Sequence, residues 1–136
     1  MTKYALDLWS RAAETLRVAR ELAGHSNDNA ASRAYYAAFH AVSALFALEE
    51  RTFTKHSAVE AAVHRDLVKT GRWPVERGKD YSRLLTLRER GDYGGGRHVT
   101  AEEAAEAVEK ASTILERVRS EHPDLFCADA STDLLD

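Results

Sequence analysis

One cysteine, two prolines and one methionine are all that the 136 residues carry of those types. Each scarcity excludes something. Cys127 alone cannot close an intramolecular disulfide, and without a second thiol it supplies no thiolate zinc site. Two prolines and seven glycines, three of them consecutive at Gly94, Gly95 and Gly96, argue against an all-β fold, which needs turn residues at short intervals. No apolar run approaches the roughly twenty residues that span a bilayer. The opening Met1-Thr2-Lys3-Tyr4 leads into an amphipathic segment rather than a signal-peptide core. The expected location is therefore cytoplasmic, with no membrane partner. A global basic excess is also missing: the net charge is -3 and the isoelectric point near 6.1.

What remains describes one helical domain. With 44% hydrophobic and 30% charged residues of mixed sign, disorder is excluded as the main state. Alanine-rich stretches such as Ala30-Ala31-Ser32-Arg33-Ala34 favour helix. Leu6, Trp9, Ala13, Leu16, Ala19 and Leu22 recur at three- and four-residue steps, which predicts a first helix from Lys3 to Ala23 with Gly24 as its stop. The polar run His25 to Asn29 offers N-cap candidates for a second helix that reaches about Glu50. A third begins near Thr54 or His56 and runs towards Gly71; a fourth starts at Trp73-Pro74 and ends about Arg90. Thr100-Ala101-Glu102-Glu103 is a capping-box pattern that opens the last helix, which Pro123 ends. The expectation is an all-α, antiparallel up-and-down bundle of four to five helices over residues 1–122, with an acidic, frayed tail over 123–136 onto which Leu125 and Phe126 can fold.

Charge is unevenly spread. Residues 1–64 are neutral in sum, residues 65–98 carry +4 and residues 99–136 carry -7. A basic middle can hold phosphate even in an acidic chain. RNA binding through it, with Arg83 and Arg88 as contacts, would weaken as salt rises.

The second helix carries the chemistry. At about 100° per residue, Tyr35, Ala38, Phe39, Val42, Leu45 and Phe46 gather on one side, and Arg33, Tyr36, Ala37, His40, Ser43, Ala44 and Ala47 on the other. Arg33 and His40 stand two turns apart, roughly 10 Å of rise. Histidine moves protons near neutral pH, and arginine grips phosphate through a charge-assisted fork. Together they suit RNA cleavage without a metal. A structural pairing of both residues with a neighbouring helix is the plainer alternative. The small residues Ala37, Ala44 and Ala47 are expected to admit a second copy of this helix closely, in a homodimer.

The run Ser32-Arg33-Ala34-Tyr35-Tyr36-Ala37-Ala38-Phe39-His40-Ala41 resembles the signature helix of HEPN domains, specifically of the small stand-alone group. The resemblance continues at Lys55-His56-Ser57, at Leu87 to Gly94 and at Thr100 to Ala105. It implies a helical bundle that commonly dimerises. Many members are metal-independent ribonucleases with an Arg-x(4–6)-His motif, which Arg33 and His40 fit at its long limit. Others are noncatalytic, or are encoded beside a minimal nucleotidyltransferase as a toxin–antitoxin pair. Toxins silenced by nucleotide transfer carry a tyrosine two places after the motif histidine; here Val42 stands there.

Further candidates follow from position. His56-Ser57 reads first as a cap for the third helix and second as lining of the same cleft. Arg88 and Asp92 can pair at the cleft rim with Tyr93 stacking on a base, or can simply close a helix end. Gly94-Gly95-Gly96 is not a phosphate loop, since no Lys-Ser/Thr follows and no strand precedes it. No two histidines stand four apart on a helix, so no metal and no other cofactor is expected. Three classes remain: a dimeric RNA endonuclease, a noncatalytic partner or nucleotide-binding module of a nucleotidyltransferase, and a structural dimer.

Overall fold

Small side chains line the most extensive helix pairing in the fold. In the computed structural model, which describes residues 1–93 and 95–127, α1 (Thr2–Leu22) buries Ala5, Trp9, Ala12, Leu16 and Ala19. α2 (Asn27–Leu48) buries Ala30, Ala34, Ala37, Ala41 and Ala44 without residual exposure. Alanine rows on both surfaces bring the two axes close, and this pairing is the most extensive in the molecule. Thirteen of the twenty-two residues of α2 are buried. It is therefore enclosed by α1, α4 and α5 rather than amphipathic with one wet face.

This corrects one expectation. Ala37, Ala44 and Ala47 are fully buried inside the chain, so the face they form is already filled. A second copy cannot use it.

Five helices build the antiparallel bundle, and no strand occurs among the described residues. α3 (His56–Ala62) is followed by a π-helical segment, Val63–Val68; α4 spans Val75–Tyr93 and α5 spans Ala101–Glu121. The single third helix read from the sequence is thus two pieces. Lys69 N donates to His64 O at 2.9 Å, the wider five-residue step. α4 presses against that bulge: a Cβ on Gly78 would lie 2.9 Å from Val68 Cγ2 and 3.2 Å from His64 Nδ1. α4 itself runs on to Tyr93 rather than stopping at Arg90.

The capping box at Thr100 forms in both directions, each bond 3.0 Å. Just before it, the Asp28 carboxylate accepts from Val99 N at 2.8 Å and meets His98 Nδ1 at 2.7 Å. The C-terminal end of α4 closes on the same corner, since a Cβ on Gly91 would stand 2.9 Å from the Asp28 carbonyl oxygen. The start of the motif helix is thereby clamped by two other segments.

At the far end Phe126 is fully buried and stacks on Trp9 with ring centroids 5.0 Å apart. Trp9 Nε1 donates to Cys127 O at 3.2 Å. Leu125 stays 38% exposed, so of the two residues only Phe126 folds onto the bundle. Most of the expected acidic tail, residues 128–136, lies outside the described residues, as does Gly94 in the glycine break. Among the described residues no helix is long and apolar enough to cross a membrane.

Candidate functional site

Arg33, Tyr36 and His40 occupy successive turns along one edge of α2. Arg33 is exposed, while Tyr36 and His40 are half-buried. Facing them, α1 contributes Asp7, Ser10, Arg11, Glu14, Thr15 and Val18, and with Arg33 and His40 these line an open cleft of about 580 Å³. The two carboxylates are engaged along their own helix, Asp7 with Lys3 at 3.4 Å and Glu14 with Arg17 at 3.6 Å. Among the described residues neither Arg11 nor Arg33 has an ion-pair partner. The cleft therefore holds two carboxylates and two guanidinium groups that form no ion pair with each other.

The His40 imidazole lines the same cleft. His40 Nδ1 is enclosed and lacks a hydrogen-bond partner, which leaves Nε2 for proton exchange. Burial first, then the charges of Arg11, Arg33 and His56, push the His40 pKa down to about 4. The ring is therefore neutral at pH 7 and weakly basic.

A second group adjoins this one. Tyr36 Oη accepts from Arg88 Nη2 at 3.0 Å, and Arg88 pairs with Asp92 at 3.2 Å. The Arg88 guanidinium lies 5.3 Å from the Tyr36 ring centre and 5.9 Å from that of Tyr93. His56 packs 4.3 Å from Phe39 and 5.6 Å from Tyr36, centre to centre. Burial, and then Arg88, lowers its pKa. Arg33 stands 5.0 Å over the Tyr36 ring and so joins the two groups. Tyr93, 73% exposed, offers an open aromatic face.

The fold thus gathers Arg33, Tyr36, His40, His56, Arg88, Asp92 and Tyr93 on one side of α2. His56-Ser57 is not a cap: Lys55 holds the N-cap position of α3 and no side chain closes it. Arg83 joins neither group. Its fork is taken by Glu106 of α5 at 2.9 and 3.1 Å. The same holds for much of the basic middle, where Arg65 binds Asp66, Arg72 binds Glu49 and Glu121, Arg77 binds Asp80 and Arg90 binds Glu103. The local +4 is largely met by neighbouring acids and does not form an open basic patch. Among the described residues, no cluster of three or more His, Cys, Asp or Glu is placed to hold a metal ion.

Arg11 has no counterpart in the sequence reading. Its one signal is its place on α1, four residues after Asp7 and beside the apolar row of Trp9, Ala12 and Leu16. Such an edge position is typical of many surface arginines, and only the packing of α1 on α2 sets it opposite His40.

Comparison with known proteins places this geometry in context. A family model described as the HEPN domain matches residues 5–121. A UPF0332 protein of Thermotoga maritima is 37% identical over 122 residues, covering 88% of this chain and 92% of the relative. A second UPF0332 protein, from Gloeobacter violaceus, is 30% identical over 118 residues, covering 85% and 94%. The crystal structure of TT1696 from Thermus thermophilus superposes with a TM-score of 0.73 at 23% identity, over 89% of this chain and 99% of that one.

Proposed function

The chain belongs to the HEPN domain family, and on that footing we propose that it is a metal-independent, toxin-like RNA endonuclease acting through Arg33 and His40 as a homodimer. One observation carries this reading: the half-buried His40 imidazole lines an open cleft with two guanidinium groups that have no ion-pair partner among the described residues. Neutral histidine takes a proton, and unpaired arginines take a phosphate.

The step follows from those roles. His40 Nε2 removes the proton of a ribose 2′-hydroxyl, and the oxygen attacks the adjacent phosphorus. The bond from phosphorus to the 5′-oxygen breaks, and that oxygen takes up the proton that His40 Nε2 had removed, which returns the ring to neutral. Arg33 offsets the charge that builds on the phosphoryl oxygens. The products are a 2′,3′-cyclic phosphate and a 5′-hydroxyl, and no cofactor enters. Tyr36, His56 and Arg88 hold the edge of α2 in place, while Tyr93 supports a base by stacking.

The test is RNA cleavage in EDTA. Wild type cleaves and leaves cyclic phosphate ends; folded His40→Ala binds RNA but does not cleave it. Arg33→Lys keeps the charge, loses the fork, and cuts far more slowly. RNA carrying a 2′-deoxy nucleotide at the cut site resists. Cleavage of that substrate, or full activity in folded His40→Ala, overturns the reading. A second reading, a noncatalytic partner or nucleotide-binding module of a minimal nucleotidyltransferase, draws on the low basicity of His40 and the exposed Tyr93 beside Arg88. An inactive wild type that binds nucleotide through Tyr93 favours it.

A further inference from the structure

We infer that Arg11 of α1 is the second anion-binding cation of the cleft, gripping a phosphate oxygen from the wall opposite Arg33 so that the phosphodiester lies against the His40 ring. The inference rests on the endonuclease reading and extends it to a residue outside the Arg–His pair.

Three observations support it. Arg11 and Arg33 stand on different helices yet line one cleft with His40. Arg72, Arg83 and Arg90 are each matched to an acid of another segment, and Arg20 and Arg117 donate to a hydroxyl and a carbonyl there, whereas Arg11 and Arg33 have neither an ion pair nor a side-chain hydrogen bond among the described residues. The cleft, about 580 Å³, has room for a nucleotide-sized group rather than a bare ion. Two like charges beside a half-buried imidazole repel one another and the imidazolium. An anion between them removes both penalties.

The groups that act on His40 are Arg33 on its own helix, Arg11 on α1 and His56 on α3. Asp7 and Glu14 share its cleft but are held by Lys3 and Arg17. Anion binding must therefore be coupled to protonation of His40: filling the site raises the midpoint of the ring, and protonating the ring tightens the site.

The experiment follows the His40 ring signal by NMR across pH, in chloride and with added inorganic sulfate, whose charge is constant over this range. In wild type, sulfate should raise the midpoint by about one pH unit. Arg11→Gln should raise the midpoint in chloride, because a cation is gone, and weaken sulfate binding by roughly tenfold. Arg11→Lys should recover part of both effects. Arg20→Gln, on α1 but outside the cleft, should change neither. Arg11 is exposed, and circular dichroism checks that each variant folds. Wild-type sulfate affinity together with an unmoved chloride midpoint in Arg11→Gln overturns the inference, as does a wild type that binds no sulfate near His40. Failure of the endonuclease reading looks different: wild type would then show the Arg11-dependent sulfate response and yet leave RNA uncut in EDTA.

Discussion

Mild acid should destabilise the protein before its carboxylates titrate, with His40 as the principal cause. The ring is held near pH 4 in the folded chain against an ordinary value of 6.5, by burial and by Arg11, Arg33 and His56. The unfolded chain therefore takes up a proton that the native site refuses. Between the two midpoints the unfolded state binds more protons, so stability falls as pH falls. Above 6.5 both states are neutral and the contribution is complete; below about 4 it is lost. Full expression corresponds to about 3 kcal/mol. One edge of the ring meets the solvent of the cleft, so about 1–2 kcal/mol is the expected loss. Glu103 and Glu106 have pKa values lowered by their arginine partners, so their stabilisation is lost below the ordinary value of 4.5. That window lies lower. Urea unfolding followed by circular dichroism, from about pH 7 to about pH 4.5, should show wild type losing more stability than His40→Gln by this amount. His56 shifts in the same direction but is present in both proteins and cancels. Parallel stability curves for the two proteins would refute the placement of His40.

Three further outcomes concern packing. Gly91→Ala gains up to about 1 kcal/mol of helix propensity but sets a Cβ 2.9 Å from the Asp28 carbonyl; overpacking of roughly 1–3 kcal/mol wins, and a raised thermal midpoint would contradict it. Glu50 adopts φ 63° at the end of α2, where Arg51 N bonds Phe46 O at 2.9 Å. Glu50→Gly should therefore stabilise by about 0.5–1 kcal/mol, and a loss of stability in urea would argue against strain there. Phe126→Ala removes a fully buried ring from Trp9 and should cost about 3 kcal/mol; an unchanged unfolding midpoint and unchanged Trp9 fluorescence would show that the contact adds nothing.

Local signals were legible where local physics decides. The capping box at Thr100 needs only a hydroxyl and a carboxylate three residues apart, and it forms. Arg33 and His40 align because helical pitch alone puts them on one edge. What escaped depends on partners distant in the chain. Arg83 looked like an available cation until Glu106 met it from α5. Ala37 and Ala44 looked like an open seam, but α2 is enclosed by its neighbours and leaves no place for a second copy there. The π-helical turn leaves no mark on apolar spacing, since Val59, Ala62, Val63 and Leu67 fit an ordinary helix equally well. Arg11 became visible only when two helices met.

The pairing of the arginines of α4 with the acids of α5 sets how a polyanion would meet this protein. At cellular ionic strength a charge is screened over about 8 Å, and one neutralised by Glu106 or Glu103 reaches less far still. The paired arginines of α4 would therefore pull little on an approaching RNA strand, and capture would fall to collision with the cleft of Arg11 and Arg33, near the unsteered rates of about 10⁵–10⁷ M⁻¹ s⁻¹. Added salt would leave the frequency of encounter nearly constant and shorten the time each strand stays, because the only attraction left to screen is the one made at contact.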